Sequence, residues 1–357
     1  MAFDLNKITR KNIRNLIPYS SARDEFKGTE GVFLDANENS MGSVTGKDYH
    51  RYPDPLQIKV KQKLAALKGV AVENIFLGNG SDEAIDLLLR AFCEPGRDNI
   101  LIFPPTYGMY EVAANINDVQ TNKINLTEEF EIDVEKALAA VNALTKLIFV
   151  CSPNNPTANS VQRGAIIQLL ENFDGIVVVD EAYIDFSIEQ GFLKDIAQYP
   201  NLVVLQTFSK AWGMANLRLG IAYSNPALIH ILNKIKPPYN VNGLTQQLAL
   251  HALDKHAQML ETVNEILKER ERLLLMLKHS IPLSAMESWL LKVYPSDANF
   301  ILIKTTEPKA LYDFLIARNI VVRDRSKQPL CEGCLRITIG TAEENKMLED
   351  ALAAFGN

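Results

Sequence analysis

Short apolar runs and stretches of helical spacing alternate along the first two thirds of the chain. Ile75–Gly78, Asn99–Phe103, Lys146–Val150 and Ile176–Val179 are typical of buried strands, and each ends in polar residues or turn signals. Helical spacing covers 56–67, 81–92 and about 107–115. This alternation predicts βαβ units around a mostly parallel sheet with flanking helices, the large domain of an α/β protein.

The last third has a different organisation. Pro237-Pro238 interrupts the chain, and apolar positions at helical spacing then run from about 242 to 280. Strands are predicted at 290–294, 299–304 and 335–339, and helices at 308–318 and 342–355, the last opened by a capping box of Thr341 and Glu344. We therefore predict an arm over 1–28 associated with a small α+β domain over 246–357, and a large domain over 29–245. A short strand is predicted at 31–39.

The composition of the chain disfavours several kinds of binding partner and site. The 357 residues carry a net charge of −6 without a basic block, which disfavours a nucleic acid or an anionic membrane as partner. No apolar run reaches the ~18–20 residues of a membrane span, and the first residues lack the apolar stretch of a signal peptide. Cys331 and Cys334 have no second pair and no nearby histidine, so no metal site is predicted. A reducing cytoplasm is the expected compartment.

Lys210 is the candidate around which the chemistry can be arranged. It follows the strand predicted at 201–206 and precedes another at 217–223, at the edge of an open sheet where ligands bind. Thr207 and Ser209 just before it, and Arg218 after it, suit a Schiff-base lysine beside an anion-binding group. Taken alone, a solvated loop lysine is the favoured interpretation.

Four further strand ends carry polar residues that change this interpretation. Gly80, Ser81 and Asp82 begin a helix whose free N–H groups suit a phosphate, although a capped turn also explains them. Tyr107 suits stacking on a flat ring, or core packing. Asp180 ends an apolar run and needs a partner such as a pyridinium N–H, unless it caps a helix. Asn155, in a turn, and Tyr183 are placed to reach the oxygen of the same ring.

In this order along one α/β domain, these residues resemble those of the pyridoxal-phosphate aminotransferases of the aspartate aminotransferase fold type. The resemblance implies that fold and pyridoxal 5'-phosphate as the cofactor. It makes Lys210 the cofactor lysine and the base, Asp180 the partner of the ring nitrogen, and Tyr107 the stacking residue. The other implied cofactor contacts are Gly80, Ser81, Asp82, Asn155, Tyr183, Thr207, Ser209 and Arg218, with catalytic roles for Lys210, Asp180 and Tyr183.

Motifs at 35–39, 51–54, 151–157, 180–183, 207–210, 322–324 and 334–338 are similar to those of the branch of this family that acts on histidinol phosphate. That likeness implies a ping-pong transfer between histidinol phosphate and 2-oxoglutarate in histidine biosynthesis. It also implies a homodimer with shared active sites, in which Tyr52 crosses to the neighbouring subunit. The implied substrate contacts are Tyr19, Asn37, Tyr52, Arg323 and Arg336. The chain departs from the branch at Ser40, which replaces proline, and at Ala158-Asn159, where glycine usually follows Asn-Pro-Thr.

Three alternatives stay open. Two are enzymes on the same fold, an aromatic aminotransferase and a phosphothreonine decarboxylase. The third is a non-catalytic ligand-sensing module, as in regulators that carry an aminotransferase-like domain. Such regulators have a winged-helix segment in front of that domain, whereas only the first 28 residues precede it here.

Overall fold

The larger of two β-sheets carries the candidate residues. The computed structural model describes residues 3–19, 31–279 and 289–355, and this sheet has seven strands in the order β1-β7-β6-β5-β4-β2-β3. β7 is antiparallel to both of its neighbours, and the other pairs are parallel. The strands are β1 (Ile75–Asn79), β2 (Asn99–Ile102), β3 (Gln120–Lys123), β4 (Thr145–Cys151), β5 (Ile176–Asp180), β6 (Leu202–Thr207) and β7 (Leu219–Tyr223).

The central strands are buried and mostly apolar because helices cover both faces of this sheet. Along β5, Val177 and Val179 belong to the core on one face, while Val178 belongs to the core on the other. The predicted α/β fold, with a mostly parallel sheet, is confirmed. The helices of this part are α1 (Leu5–Ile8), α2 (Lys11–Asn15), α3 (Ile58–Lys68), α4 (Gly80–Phe92), α5 (Met109–Ile116), α6 (Val134–Ala140), α7 (Arg163–Asn172), α8 (Pro226–Ile235) and α9 (Gly243–Leu253).

The smaller sheet is antiparallel, in the order β10-β11-β9-β8. Ile301, Ile303 and Leu335 share a core with the adjacent helices, whereas Leu302 and Cys334, on the other face, join the core of the larger sheet. Through this second face, β9 and β11 pack against the core of the larger sheet. The elements are α10 (His256–His279), β8 (Leu290–Val293), β9 (Phe300–Thr305), α11 (Pro308–Ile316), β10 (Arg323–Asp324), β11 (Cys334–Thr338) and α12 (Ala342–Phe355).

Three details differ from the prediction. Residues 31–39 form no strand, and Val32 and Leu34 are exposed, since no neighbouring strand pairs with them. The arm, as far as residue 15, packs on the larger sheet's helices, where Ile8 joins the core and Arg10 donates to the Arg90 carbonyl. The boundary expected after residue 245 falls inside α9, whose Ala249 is buried in the core of the larger sheet.

In the described part of the chain, no helix is long and apolar enough to cross a membrane.

Candidate functional site

A cavity lies at the edge of the larger sheet where β4, β5 and β6 end. β7 begins at this edge, because Thr207 at the end of β6 pairs with Gly220. The cavity encloses about 620 Å³ of empty space, part of it open to solvent. All the predicted cofactor contacts except Gly80 line it, together with three residues that the sequence did not indicate. Its lining is Ser81, Asp82, Tyr107, Cys151, Asn155, Asp180, Ala182, Tyr183, Thr207, Ser209, Lys210, Ala215 and Arg218.

Lys210 stands in the loop between β6 and β7, with its Nζ 5.3 Å from the centroid of the Tyr183 ring. Its pKa is lowered, first by burial and then by the positive charge of Arg336, while Asp180 opposes the shift. Both leading causes disfavour the ammonium form. More of the amine is therefore neutral and able to act as a nucleophile or a base than in a solvated lysine.

Hydroxyl groups and a guanidinium gather at one end of the cavity. The Thr207 hydroxyl donates to Ser209 Oγ at 3.0 Å, and Arg218 Nη1 donates to the same oxygen at 3.3 Å. Arg218 Nη2 reaches Asp82 Oδ2 at 3.3 Å, and this side chain is half exposed. Three side chains that can donate to an anion therefore surround one point of the cavity.

The first turn of α4 completes this end. Gly80, at φ +71°, begins the helix, and its N–H donates to the Arg218 carbonyl at 2.7 Å. A Cβ on Gly80 would lie 2.6 Å from Arg218 Nη2, so only glycine allows the guanidinium to approach this closely. The helix directs its N-terminal N–H groups and Ser81 towards the same end, which suits a phosphate.

Asp180 lies at the opposite end, 2% exposed at the last position of β5. Its Oδ2 accepts a hydrogen bond from the Tyr110 hydroxyl at 2.8 Å, and its Oδ1 accepts one from the Ala182 N–H at 3.1 Å. Burial raises the pKa of Asp180 from 3.8 to about 6, although both hydrogen bonds oppose the shift. A cation placed opposite this carboxylate would remove much of the cost of burying its charge.

The smaller sheet meets the wall of the cavity through Arg336 on β11, which contacts the lining residue Asn155. Arg336 Nη1 donates to Asn155 Oδ1 at 2.6 Å, which leaves the Asn155 amide N–H groups for other partners. The Arg336 guanidinium lies 5.3 Å from the centroid of the Phe300 ring, whose edge packs against Tyr183. Burial is the first cause of the raised pKa of Tyr183, so its phenol stays protonated and can donate.

Tyr107 lines the cavity beside the α4 end. Its hydroxyl donates to Asp82 Oδ1 at 3.2 Å, and its ring meets Tyr110 edge to face at 5.5 Å. The hydroxyl is thus anchored near the anion-binding end, and stacking of the Tyr107 ring on a flat ligand stays a prediction.

In the described part of the chain, none of the five predicted substrate contacts, Arg336 included, is among the residues that line the cavity. Tyr19 is 75% exposed, and Asn37 is exposed in a left-handed conformation at φ 54°. Tyr52 is half exposed and stacks on Tyr239 at 4.5 Å. Arg323 is exposed on β10 directly across from Arg336. Within one chain, the structure does not place Tyr19, Asn37 or Tyr52 in the lining of the cavity.

Tyr110 and Arg325 are two neighbours of the site that the sequence reasoning missed. Arg325 follows Arg323 by two residues, so both project from the same side of the chain beside Arg336. Burial, followed by the charges of Arg336 and Arg323, lowers the pKa of Arg325 to about 10. Its buried Nε has no hydrogen-bond partner among the described residues. Within those residues, no carboxylate forms a salt bridge with any of these three arginines.

Comparison with known proteins agrees with this geometry. A family model described as aminotransferase class I and II matches residues 26–352. The histidinol-phosphate aminotransferase of Cytophaga hutchinsonii is 57% identical over 355 residues, which are 99% of this chain and 100% of that protein.

Two crystal structures share the fold. The histidinol-phosphate aminotransferase from Clostridium acetobutylicum superposes with a TM-score of 0.78 at 24% identity, covering 87% of this chain and 91% of that one. The enzyme of the same name from Sinorhizobium meliloti, in complex with pyridoxal-5'-phosphate, has a TM-score of 0.76 at 22% identity and covers 90% and 89%.

Proposed function

The chain belongs to the class I and II aminotransferases, and we propose that it transfers an amino group between histidinol phosphate and 2-oxoglutarate, giving imidazole acetol phosphate and glutamate in histidine biosynthesis. The observation that carries the proposal is the cavity in which Lys210 and Asp180 meet an anion-binding end. The near full-length likeness to a histidinol-phosphate aminotransferase supports the choice of substrate.

The family uses pyridoxal phosphate, and two features of the cavity fit it. Ser81, Thr207, Ser209 and Arg218 supply donors for the phosphate beside the helix N-terminus. At the other end, Asp180 supplies a buried negative charge for a cationic ring nitrogen.

Three more residues would hold the cofactor between these ends. Tyr107 would cover its face, and Asn155 and Tyr183 would donate to its ring oxygen. These roles agree with the orientation that Arg336 imposes on the Asn155 amide.

When bound, pyridoxal phosphate supplies an electron-withdrawing ring that makes a proton on the substrate's α-carbon removable. Lys210 would hold the cofactor covalently until the substrate amine displaces it, and the freed amine, whose pKa is lowered, would then take and return that proton. Asp180 would keep a negative charge beside the ring nitrogen, so that the nitrogen stays protonated. The Tyr183 hydroxyl, a donor because its pKa is raised, would hold the ring oxygen on the side of Arg336.

Three arginines would receive the anionic ends of both substrates. Arg336 projects from β11 beside the cavity, and Arg323 on β10 and Arg325 just after that strand extend the positive charge outwards. Guanidinium groups fit phosphate and carboxylate oxygens in a bidentate geometry. Since these charges repel one another, an arriving phosphate dianion would relieve an unfavourable interaction.

We infer that the active protein is a homodimer in the cytoplasm and that the partner subunit's Tyr52 completes each substrate site. Support comes from the segment 31–58, which exposes many apolar side chains in the single chain. Val32, Leu34, Met41 and Val44 are each more than four-fifths exposed. Covering them by a second copy would bring Tyr52 and Asn37 against another molecule.

A screen of amines against the yellow holoenzyme tests the function. Histidinol phosphate should bleach the cofactor's visible band at concentrations where phenylalanine and tyrosine do not, and glutamate should bleach it as the second donor. Preference for the aromatic amino acids would instead support an aromatic aminotransferase. Release of carbon dioxide from phosphothreonine would support the decarboxylase, and no response to any amine would indicate a sensing module.

A further inference from the structure

Tyr110 occupies the position behind Asp180 and is inaccessible to solvent. It lies in the first turn of α5, where its ring stacks on Phe149 at 4.8 Å and meets the edge of Tyr107 at 5.5 Å. These contacts fix the ring, so the direction of the hydroxyl is set by packing before any ligand arrives. That hydroxyl donates to Asp180 Oδ2 at 2.8 Å.

In this hydrogen bond Tyr110 is always the donor and Asp180 the acceptor. Burial, followed by the charge of Asp180, raises the pKa of Tyr110 well above its ordinary value, so the phenol remains a donor. The Ala182 N–H donates to the other oxygen of Asp180. One donor on each oxygen holds the carboxylate group in a single orientation. Its remaining lone pairs are left for a partner in the cavity that Asp180 lines.

The other ionisable groups around Asp180 do not replace this donor. Cys151 ends β4 beside it, and burial raises the pKa of that thiol, so it is neutral. Lys210 attracts the carboxylate from the loop after β6, and Asp82 repels it from the first turn of α4. Among the described residues, the carboxylate accepts from the Tyr110 hydroxyl and the Ala182 N–H, and Tyr110 supplies the one side-chain donor of the two.

We propose that Tyr110 is a positioning residue whose hydroxyl keeps Asp180 ionised and oriented towards the ring nitrogen of the cofactor. The proposal rests on the proposed function, because the cofactor supplies that nitrogen. Without the hydroxyl, the buried carboxylate loses a charge-stabilising hydrogen bond and becomes a stronger base. The proton between Asp180 and the ring nitrogen then moves towards Asp180, and the ring withdraws electrons less strongly.

Tyr110→Phe removes this hydroxyl and keeps the ring that packs on Phe149. The matched control is Tyr223→Phe, because Tyr223 is also inaccessible and its hydroxyl has no partner among the described residues. The measurement is nitrogen NMR of holoenzyme loaded with ring-labelled pyridoxal phosphate, whose shift reports protonation of the ring nitrogen. Asp180→Asn provides the reference for a nitrogen without its carboxylate.

In Tyr110→Phe the shift should move from the protonated towards the neutral value, and in Tyr223→Phe it should stay where it is. The kcat should fall about 10- to 100-fold, as expected for loss of a hydrogen bond to a charged group, with KM for histidinol phosphate nearly kept. In the Asp180→Asn background, Tyr110→Phe should add no further shift. An unchanged shift in Tyr110→Phe would overturn the inference. A wild-type nitrogen that is already neutral would instead contradict the role of Asp180 in the proposed function.

Discussion

Replacing Asp180 with asparagine should stabilise the cofactor-free protein at neutral and alkaline pH. The carboxyl is 2% exposed, and burial raises its pKa from 3.8 to about 6. Each pKa unit corresponds to about 1.4 kcal/mol, so the ionised group costs about 3 kcal/mol in the folded state above that pKa. Asparagine avoids this cost, since its oxygen can accept from Ala182 and its amide can donate to the Tyr110 oxygen.

The sign of the pH dependence follows from the raised pKa. Between pH 3.8 and about 6 the folded protein holds a proton on Asp180 that the unfolded chain has released. The free energy of unfolding therefore falls as pH rises through this window, and the loss is complete above it. Glu181, whose pKa burial raises to about 7, adds a similar fall in both proteins. The difference between wild type and variant thus isolates Asp180.

Urea unfolding of both cofactor-free proteins near pH 4 and near pH 8 measures this difference. The variant should be more stable by up to about 3 kcal/mol near pH 8 and nearly equal to wild type near pH 4. Asp350→Asn is the control, because Asp350 is exposed and its one ion pair within the described residues is with Lys346. A variant that is less stable than wild type near pH 8 would refute the reasoning. The same variant should lose turnover by orders of magnitude while keeping cofactor, which assigns the buried charge to catalysis.

Three further predictions concern the substrate end and the dimer. Arg336→Ala should raise KM for both histidinol phosphate and 2-oxoglutarate, by factors corresponding to about 2–4 kcal/mol, and steady-state kinetics with an effect on one substrate alone would separate the two sites. Arg325→Gln should lower kcat/KM more for histidinol phosphate than for glutamate, while Lys327→Gln, exposed in the same turn, leaves both unchanged; equal losses would remove Arg325 from phosphate selection. Chains carrying Lys210→Ala and Tyr52→Ala, each nearly inactive alone, should regain about a quarter of wild-type activity when co-expressed, because one site of each mixed dimer is intact; no recovery would place Tyr52 at its own chain's site.

The sequence predicted the elements in which one periodicity dominates. β4, β5 and β6 have continuous apolar centres because both of their faces are covered, and they were predicted near their observed limits. β3 was missed because it reads Gln-Thr-Asn-Lys, a polar strand at the edge of the sheet. The strand predicted at 31–39 is absent, since a short apolar run forms a strand only where a neighbouring strand can pair with it.

The candidate site was predictable where a strand end met a residue type with a chemical role. Lys210 and Asp180 both satisfy that rule, and both line the cavity. Tyr110 and Arg325 were not predictable in this way. Tyr110 lies close to Tyr107 in sequence, and Arg325 lies two residues from Arg323. The contacts that give these two residues a role are with Asp180 and Arg336, however, and each of those is more than ten positions distant in sequence.

Ala158 explains one departure from the family pattern. Its φ is 68°, the left-handed conformation that glycine adopts most readily, and its methyl group is buried beside Tyr183 and Phe186. The loop therefore keeps the backbone expected of a glycine, while the methyl group adds to the packing. Ser40, the other departure, lies exposed in a turn.

Reduction of the holoenzyme with borohydride, followed by mass mapping of the labelled peptide, tests the central claim most directly. The account predicts a single pyridoxyl group on Lys210, and Lys210→Ala should fold, retain cofactor and take no label. Lys61 is the informative competitor, because burial lowers its pKa to about 8 and it lies outside the cavity lining. A label on Lys61, or on any lysine other than Lys210, would contradict the assignment of this cavity as the active site.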